Sequence, residues 1–568
     1  MIGGLSAFLY VAALLYGAPA VFRRCTSIAD HLRCALILGI ATPAVLGAVH
    51  LLYAPLLWIC VLALCAWRTI VLKPALGPQD PIQFATLAGC LLVLWPPLSR
   101  PLLDGDSLLY HLPNAAAFVQ SHSIWSARAP YWIYPPASEL FTAGLFAAAG
   151  RWALPLAGAL AALLLAARLY ERARESGAPA YACGATAIAF ICTPVAAFQS
   201  GTLQNDLWLA AFVVEVLSLA DASWISLAVC ALLKPFGWIV GLIGAVAARV
   251  RLRDVLLSFV PLALWIVRDE ILLSRGQSAG FSVPDYFANA IAPNLTAAVP
   301  QLVHGIATVT PQSFAWIAML ACGAFFGATR RYAAAGAAML VLYLFLPQSY
   351  RNGATNYVLD ASSWRYALPA LACGALAAAA LAKRFGAVGA IAGYALAIWG
   401  AWSVLAIFWN DAYTHYALLA AAIALAAAAA AAKTHGFSVA AIALAALLAG
   451  SWCASTRVQG FFGDWMRQPS GKPTAVFAWL AAHQPRAVVA VNVRAGAVIL
   501  SSPRTMAFSL DSEQSGCALA AREGAVLLVG TNEERADANV MREFDAAKRC
   551  GAVLYEDGAG VLVKPASD

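Results

Sequence analysis

The stretch SWISLAVCALLKPFGWIVGLIGAVAARVR, Ser223–Arg251, decides the fold. It reads as a helix for apolar surroundings, yet Lys-Pro-Phe-Gly interrupts it at 234–237. Proline removes a helix donor and clashes with the preceding turn, and glycine relaxes the backbone, so a helix breaks here. At membrane depth a break is tolerated only where it packs in protein or lines a water-filled cavity. The stretch therefore predicts a bundle of membrane helices with one broken member carrying Lys234.

The rest of the chain agrees. Its 568 residues are 62% hydrophobic and 11% charged, with a mean hydropathy of +0.75, whereas a soluble domain is about half apolar and one-quarter charged. Apolar runs long enough to cross a bilayer fall near 5–22, 33–52, 54–70, 83–100, 151–170, 178–198 and 207–222. The broken element follows at 224–248, then spans near 254–272, 311–328, 332–348, 366–382, 386–408, 416–432 and 436–453. The first run ends in FRRC and lacks a small-residue cleavage site, so no cleavable signal is expected. The expected class is an all-α polytopic membrane protein over 1–453, its surroundings membrane lipids, with a small C-terminal α/β domain over 454–568.

The net charge of +8 does not point to nucleic acid; its distribution sets orientation. One set of loops holds Arg23, Arg24, Arg33, Arg68, Lys73, Arg168, Arg172, Arg174, Arg249, Arg251, Arg253, Arg330, Arg331, Lys383, Arg384 and Lys433. The opposite set holds only Arg100, Arg128, Arg151, Lys234, Arg268, Arg275, Arg351 and Arg365. The richer set is expected inside. The loops 101–137, 199–206, 269–310 and 349–365, and the C-terminal region, then face out. ASELFTAGLFAAAG (137–150) is too short to cross and reads as an in-plane or re-entrant helix within an outer region 101–150. In the C-terminal region RAVVAVNV, GAVILSS, GAVLLVG, GAVLYEDG and GVLVKP read as short strands, and AVFAWLAAH and NEERADANVMREFDAAKRC as helices. Strand–helix–strand order there is Rossmann-like, without a GxGxxG. Cys517 and Cys550 fall in this exported domain, where a disulfide and two free thiols are the two readings.

The outer loop after Arg100 places Asp104, Asp106, Tyr110 and His111 close together in DGDSLLYHLP, with Glu139 further on. The residues that follow have helical apolar spacing, as a helix lying along the interface would. Asp206, in QNDLWLAAF, sits at the outer mouth of a later span, and ionisable groups at such depth are functional candidates. The cations Lys234, Arg268, Arg351 and Arg365 lie on the same side, each otherwise readable as an interfacial snorkelling residue.

The ordered motifs DGDSLLYHLP, YWIYPPASELF, QNDLWLAAF, LLKPFGW, WIVRDE and SWRYALP, over roughly 83–380, resemble bacterial GT-C glycosyltransferases, among them the aminoarabinose transferases and protein O-mannosyltransferases. The resemblance implies a GT-C transmembrane bundle in a bacterial inner membrane. It also implies sugar transfer from a polyprenyl-phosphate donor to a lipid, glycan or protein acceptor at the periplasmic face. Asp106 takes the place of the general base, Asp206 matches the second acid and Asp104 is the fallback base. Tyr110, four positions after Asp106, completes an aspartate–tyrosine pattern, and Lys234, Arg268, Arg351, Arg365 and Tyr366 of SWRYALP are candidates to hold the donor. Tyr134 of YPP stands where the aminoarabinose transferases carry a lysine, so either another cation substitutes or the donor is gripped differently.

The chemistry fits without the resemblance. A carboxylate that takes a hydroxyl proton in the transition state contributes about 10²–10⁴-fold. A cation beside the departing phosphate stabilises its charge. The sequence establishes no cofactor. A divalent metal ion on Asp106, Asp206 and His111 is a candidate, against a plain interfacial histidine. Two other readings stand: an enzyme like O-antigen ligases or polymerases using Arg351 and Arg365, and a lipid-linked sugar transporter or flippase, which would favour internal repeats.

Overall fold

The computed structural model describes residues 2–22, 27–72, 80–98, 106–129, 131–218, 223–277, 311–345, 363–408, 475–491, 495–509, 516–530, 545–557 and 560–566. Asp104, Arg351, the spans expected at 416–432 and 436–453 and most of the helix expected at 532–550 lie outside them.

The described residues are mostly helical, with a small sheet near the C-terminus. Helices α1 (Ile2–Gly17), α2 (Ile28–Ala48), α3 (Ala54–Trp67) and α4 (Pro81–Leu98) precede the outer segment. That segment carries α5 (Leu112–Gln120) and α6 (Ala137–Ala149). Then come α7 (Leu156–Glu175), α8 (Ala180–Ile191), α9 (Pro194–Ser200), α10 (Asp206–Ser218), α11 (Ser223–Ala231), α12 (Gly237–Ala248), α13 (Leu252–Ser258) and α14 (Val260–Ser274). The bundle continues with α15 (Pro311–Ala324), α16 (Arg330–Phe345) and α17 (Leu368–Phe408).

Among the described residues, Ile28–Ala48 and Arg365–Trp402 are long and apolar enough to cross a membrane, and α8 with α9 forms a third such unit bent by 74°. The single span expected at 178–198 is thus a bent pair. Thr193 precedes Pro194 and is extended (φ −60°, ψ 124°), because proline disfavours a helical residue before it. The span expected at 254–272 is likewise divided, into α13 and α14 around Phe259. Ile59, Val246, Val388, Ile398 and Trp402 are each more than half exposed on the outer faces. Exposed apolar side chains spread over so many helices suit hydrocarbon rather than water.

α17 departs from helical geometry at Gly386 (φ 50°, ψ −130°), a conformation that only glycine adopts readily. The chain reverses there. Ala379 accepts a hydrogen bond from Ser176 at the foot of α7, Tyr394 donates to the Tyr181 carbonyl, and Gly400 packs on the Cys192 carbonyl. The second half therefore runs back along α8, and the two spans expected at 366–382 and 386–408 are the arms of a hairpin.

The break after α11 falls at 232–236, as the Lys-Pro-Phe-Gly motif predicts. Its freed carbonyls are not left bare. Ala137 N donates to Leu232 O at 2.8 Å, and the Asn205 amide donates to Leu233 O. This is how irregular backbone survives in an apolar bundle. Away from the break, Arg168 of α7 donates to Glu215 of α10 at 2.8 and 3.0 Å, to Asp30 of α2 at 3.0 Å and to Glu171 at 2.8 Å. This buried network ties three helices together.

The expectation of helices lying along an interface needs correction. Leu112–Phe118 and nearly all of α6 are buried in protein, which goes against an interfacial α5 and an in-plane α6; the re-entrant alternative for 137–150 stands. α6 packs among α1, α2 and α5, and the C-terminal domain covers α5. The apolar periodicity was real, but protein satisfies it instead of lipid.

The C-terminal domain holds α18 (Ala475–His483), β1 (Ala487–Val491), α19 (Ala495–Ser501), β2 (Met506–Ser509), α20 (Gly516–Arg522), β3 (Val526–Gly530), β4 (Gly551–Asp557) and β5 (Gly560–Pro565). The strand order is β2-β1-β3-β5-β4. β2, β1 and β3 are parallel, while β5 pairs antiparallel with both β3 and β4. GAVILSS, expected as a strand, is helix α19. A short apolar run buried on every side carries no period that separates the two. The expectation also omitted β2 and α20. Cys517 and Cys550 are disulfide-bonded.

Candidate active site

Four charged side chains meet where the outer segment, the helix break and two helix starts converge. Asp106 stands at the head of a wide π-type turn, Ser107–His111. Such turns are rare and concentrate at functional sites. Asp206 is the first residue of α10, where a helix N-terminus favours negative charge. Lys234 sits in the break between α11 and α12, and Arg365 in the 3₁₀ turn Ser363–Ala367 that leads into α17.

Arg365 joins the two acids. Its Nη2 donates to Asp106 Oδ2 at 2.5 Å, and its Nε lies 3.8 Å from Asp206 Oδ2. Lys234 Nζ donates to the other oxygen of Asp206. Two anions and two cations cancel (2 − 2 = 0). Burial is uneven: the Asp206 side chain is 2% exposed, Lys234 9%, Arg365 11% and Asp106 25%. Asp206 Oδ2 and Arg365 Nε have no hydrogen-bond partner among the described residues. An acceptor and a donor therefore face the cluster with capacity unused, a costly state in a buried place.

Aromatic rings wall the cluster. Tyr366 accepts a hydrogen bond from Arg365 at 2.8 Å, and Lys234 Nζ lies 4.5 Å above its ring. Tyr110 packs edge-on against Tyr131 and Tyr134, with centroids at 5.1 and 5.6 Å, while those two stack on each other. Burial pushes the Tyr110 phenol well above its ordinary value of 10, and the negative charge of Asp106 adds to this. Tyr131 is raised by the same two causes.

The structure also separates residues that the sequence grouped. His111 shares its Nδ1 with Glu139 Oε1 at 2.6 Å, and Ser138 donates to the other oxygen of Glu139 at 2.9 Å. This buried pair stands behind Tyr110 and apart from the acids. The trio Asp106, Asp206 and His111 is thus not brought together as ligands, and no group of three or more His, Cys, Asp or Glu that could hold a metal occurs among the described residues. Arg268 lies elsewhere. It donates to the carbonyls of Ile124, Ser126 and Trp132 at 2.7–3.0 Å and to Asp269 at 2.6 Å. Its donors are spent fixing the loop that carries Tyr131 and Tyr134, so it has little left for a phosphate.

Other positioning groups carried no sequence expectation. The Ser107 hydroxyl accepts from Leu203 N at 2.8 Å, tying the Asp106 turn to the strand of chain before Asp206. Asn205 holds the break, as described above. On the outer side, Gly496 of α19 presses on the Leu108 backbone, and a Cβ there would come within 2.6 Å of the Leu108 carbonyl oxygen. Gln120 donates to Thr505 O at 2.8 Å, and Arg151 to the Leu500 carbonyl. The C-terminal domain thus buttresses the turn that presents Asp106. The signal for Asn205 was its place beside Asp206 in QND; for Gly496 there was none.

No protein-family model and no curated protein matches the chain. A solved structure, ArnT from Cupriavidus metallidurans in the apo state, is similar over 84% of this chain and 96% of that one, with 14% identity and a TM-score of 0.47.

Proposed function

We propose that this chain transfers a sugar from a polyprenyl-phosphate donor to an acceptor hydroxyl at the outer face of a bacterial inner membrane. The single observation that carries the reading is the partly buried Asp106–Arg365–Asp206–Lys234 cluster at one end of an apolar helical bundle. An apolar bundle suits a prenyl chain. Arg365 and Lys234 suit a phosphate, the guanidinium as a two-point donor and the ammonium as a point charge. The tyrosine wall suits the faces of a sugar ring.

Asp106 is the proposed base because it is the more accessible of the two acids, while Asp206 is sealed against Lys234 and orients it. Asp104, outside the described residues, is the fallback. As the acceptor oxygen attacks the anomeric carbon, its proton passes to Asp106. The bond from that carbon to the phosphate oxygen breaks with its electron pair on the phosphate, where Arg365 and Lys234 stabilise the charge.

The test is turnover of a panel of radiolabelled polyprenyl-phosphate sugars by purified protein and by Asp106→Asn. The expected result is transfer or slow hydrolysis of one donor, reduced about 10²–10⁴-fold in the variant. Full activity in Asp106→Asn moves the base elsewhere. Turnover of no donor, with intact lipid moved instead, makes the protein a transporter.

A further inference from the structure

At the end of the bundle remote from the site, three chain reversals come together: the turn after α7 (Arg172–Ala178), the link from α15 to α16 (Ala324–Tyr332) and the hairpin at Gly386. Arg365 and Lys383 bracket the first arm of α17, so a 1.5 Å rise over the residues between them puts the two ends roughly 27 Å apart. That is about the thickness of a bilayer's hydrocarbon core.

Cations crowd this end. Arg172 donates to the Tyr332 hydroxyl at 3.0 and 2.7 Å, and Arg331 to the same oxygen at 2.6 Å. Two guanidiniums thus converge on one neutral group. Lys383 packs beside Gly177, Arg384 lies 4.6 Å over the Phe326 ring, and Arg330 donates to the Ala324 carbonyl. With Arg174 there are six cations, and the carboxylates pairing with them are Glu175 on Arg172 and Asp80 on Arg174, leaving an excess of four (6 − 2). Arg330, Arg331, Lys383 and Arg384 have no carboxylate partner among the described residues. Directly beside them Phe325 is 81% exposed and Val388 77%, and Phe385 is exposed too.

A group of four cations without carboxylate partners among the described residues, with bare apolar side chains at its edge, complements a phosphate with acyl chains attached. We propose that these three reversals form a binding site for an anionic membrane phospholipid. Arg331, Lys383 and Arg384 grip the phosphate, Arg330 extends the field, and Phe325, Phe385 and Val388 meet the acyl chains. A zwitterionic headgroup carries its own cation and would repel the cluster. Each basic residue at such a surface is worth about 1 kcal/mol, or roughly fivefold in affinity.

The experiment titrates the full-length protein, in zwitterionic detergent, with phosphatidylglycerol, phosphatidylcholine or inorganic phosphate, reading thermal unfolding and lipid retained in native mass spectrometry. Phosphatidylglycerol is expected to bind and stabilise, phosphatidylcholine not, and the triple variant Arg331→Gln/Lys383→Gln/Arg384→Gln should bind about 100-fold more weakly. If that variant is unstable without lipid, single Lys383→Gln and Arg384→Gln replace it, since neither side chain makes a protein hydrogen bond among the described residues; each should cost about fivefold. Equal binding of the two lipids, or variants that bind phosphatidylglycerol as the parent does, overturns the proposal. So does inorganic phosphate that protects as well as the lipid, which would make this a site for a soluble anion.

Discussion

Replacing Arg365 by glutamine tests the cluster most directly, because this one guanidinium touches both acids. The change takes the net charge of the four groups from zero to −1. At an effective dielectric of about 20, one unit charge roughly 5 Å from a phosphate is worth about 3 kcal/mol, so donor kcat/KM should fall by two to three powers of ten. That agrees with the ~10²–10³-fold cost of deleting one preorganised donor elsewhere. Stability should fall as well, because Asp106 and Asp206 would face each other with only Lys234 between them. With Asp106 one-quarter exposed, about 1–3 kcal/mol is expected, below the cost of breaking a sealed pair. The double variant Arg365→Gln/Asp106→Asn separates the two effects: it restores charge balance and hence most of the stability, and it stays inactive. Arg365→Lys keeps the charge without the two-point reach and should lie between parent and glutamine variant. The assay is steady-state transfer from the labelled donor, with detergent-solubilised thermal unfolding run in parallel. A well-folded Arg365→Gln within tenfold of the parent would refute the role given to this residue.

Other perturbations follow from the same geometry. Lys234→Met removes the partner of a 2%-exposed carboxylate and should destabilise by about 3–5 kcal/mol in detergent unfolding; adding Asp206→Asn should recover most of it. Gly496→Val drives a side chain into the Leu108 backbone, at a cost of about 1–3 kcal/mol, and should lower kcat more than it alters donor KM, because the turn bearing Asp106 moves. Tyr110 is raised in the folded state, so its contribution is fully present below the unfolded pKa of about 10 and is lost as pH rises beyond it toward the folded value. Alkaline unfolding should therefore be delayed in Tyr110→Phe, followed by circular dichroism; an unchanged midpoint would mean the phenol is not sequestered. Reducing Cys517–Cys550, which are 33 residues apart, should cost the C-terminal domain about 3–4 kcal/mol, seen as earlier loss of its sheet signal.

What could be read from the sequence were local anomalies: a lysine and a proline inside an apolar run, an aspartate opening a span, acids in a loop otherwise almost free of charge. Each of Asp106, Asp206, Lys234 and Arg365 is conspicuous for that reason. Which of them meet was not legible, because Asp106 and Arg365 stand 259 residues apart and only packing of the outer turn against α10 and the start of α17 brings them together. Arg268 shows the opposite failure. By type and by the side expected from loop charges it resembles Arg365, and only the carbonyls of Ile124, Ser126 and Trp132 and the carboxylate of Asp269 reveal that its donors are committed. Glu215, by contrast, is an acid within an expected span whose partner Arg168 lies on another helix; its position was an anomaly that the loop-charge argument passed over. Helix α19 was misread because its burial on all sides, partly against the outer turn, erased the alternation that distinguishes strand from helix.

The resting site neutralises itself, and this has a consequence for the order of events on the proposed reading. Arg365 holds one of the two carboxylate oxygens of Asp106 and so competes with an acceptor hydroxyl for that side chain. An acceptor hydroxyl brings no charge with which to draw the guanidinium away, but the donor's phosphate does, and Arg365 Nε, though 3.8 Å from Asp206 Oδ2, makes no hydrogen bond among the described residues. The expected order is therefore donor first, with Arg365 shifting from carboxylate to phosphate and leaving both oxygens of Asp106 open beside the anomeric carbon. Equilibrium dialysis should find labelled donor retained by the protein alone and acceptor retained only when a non-transferable donor analogue is present. In Arg365→Gln, where no guanidinium blocks Asp106, acceptor retention should no longer depend on the analogue. Acceptor binding to the parent protein without any donor would show that the Arg365–Asp106 pair is no barrier.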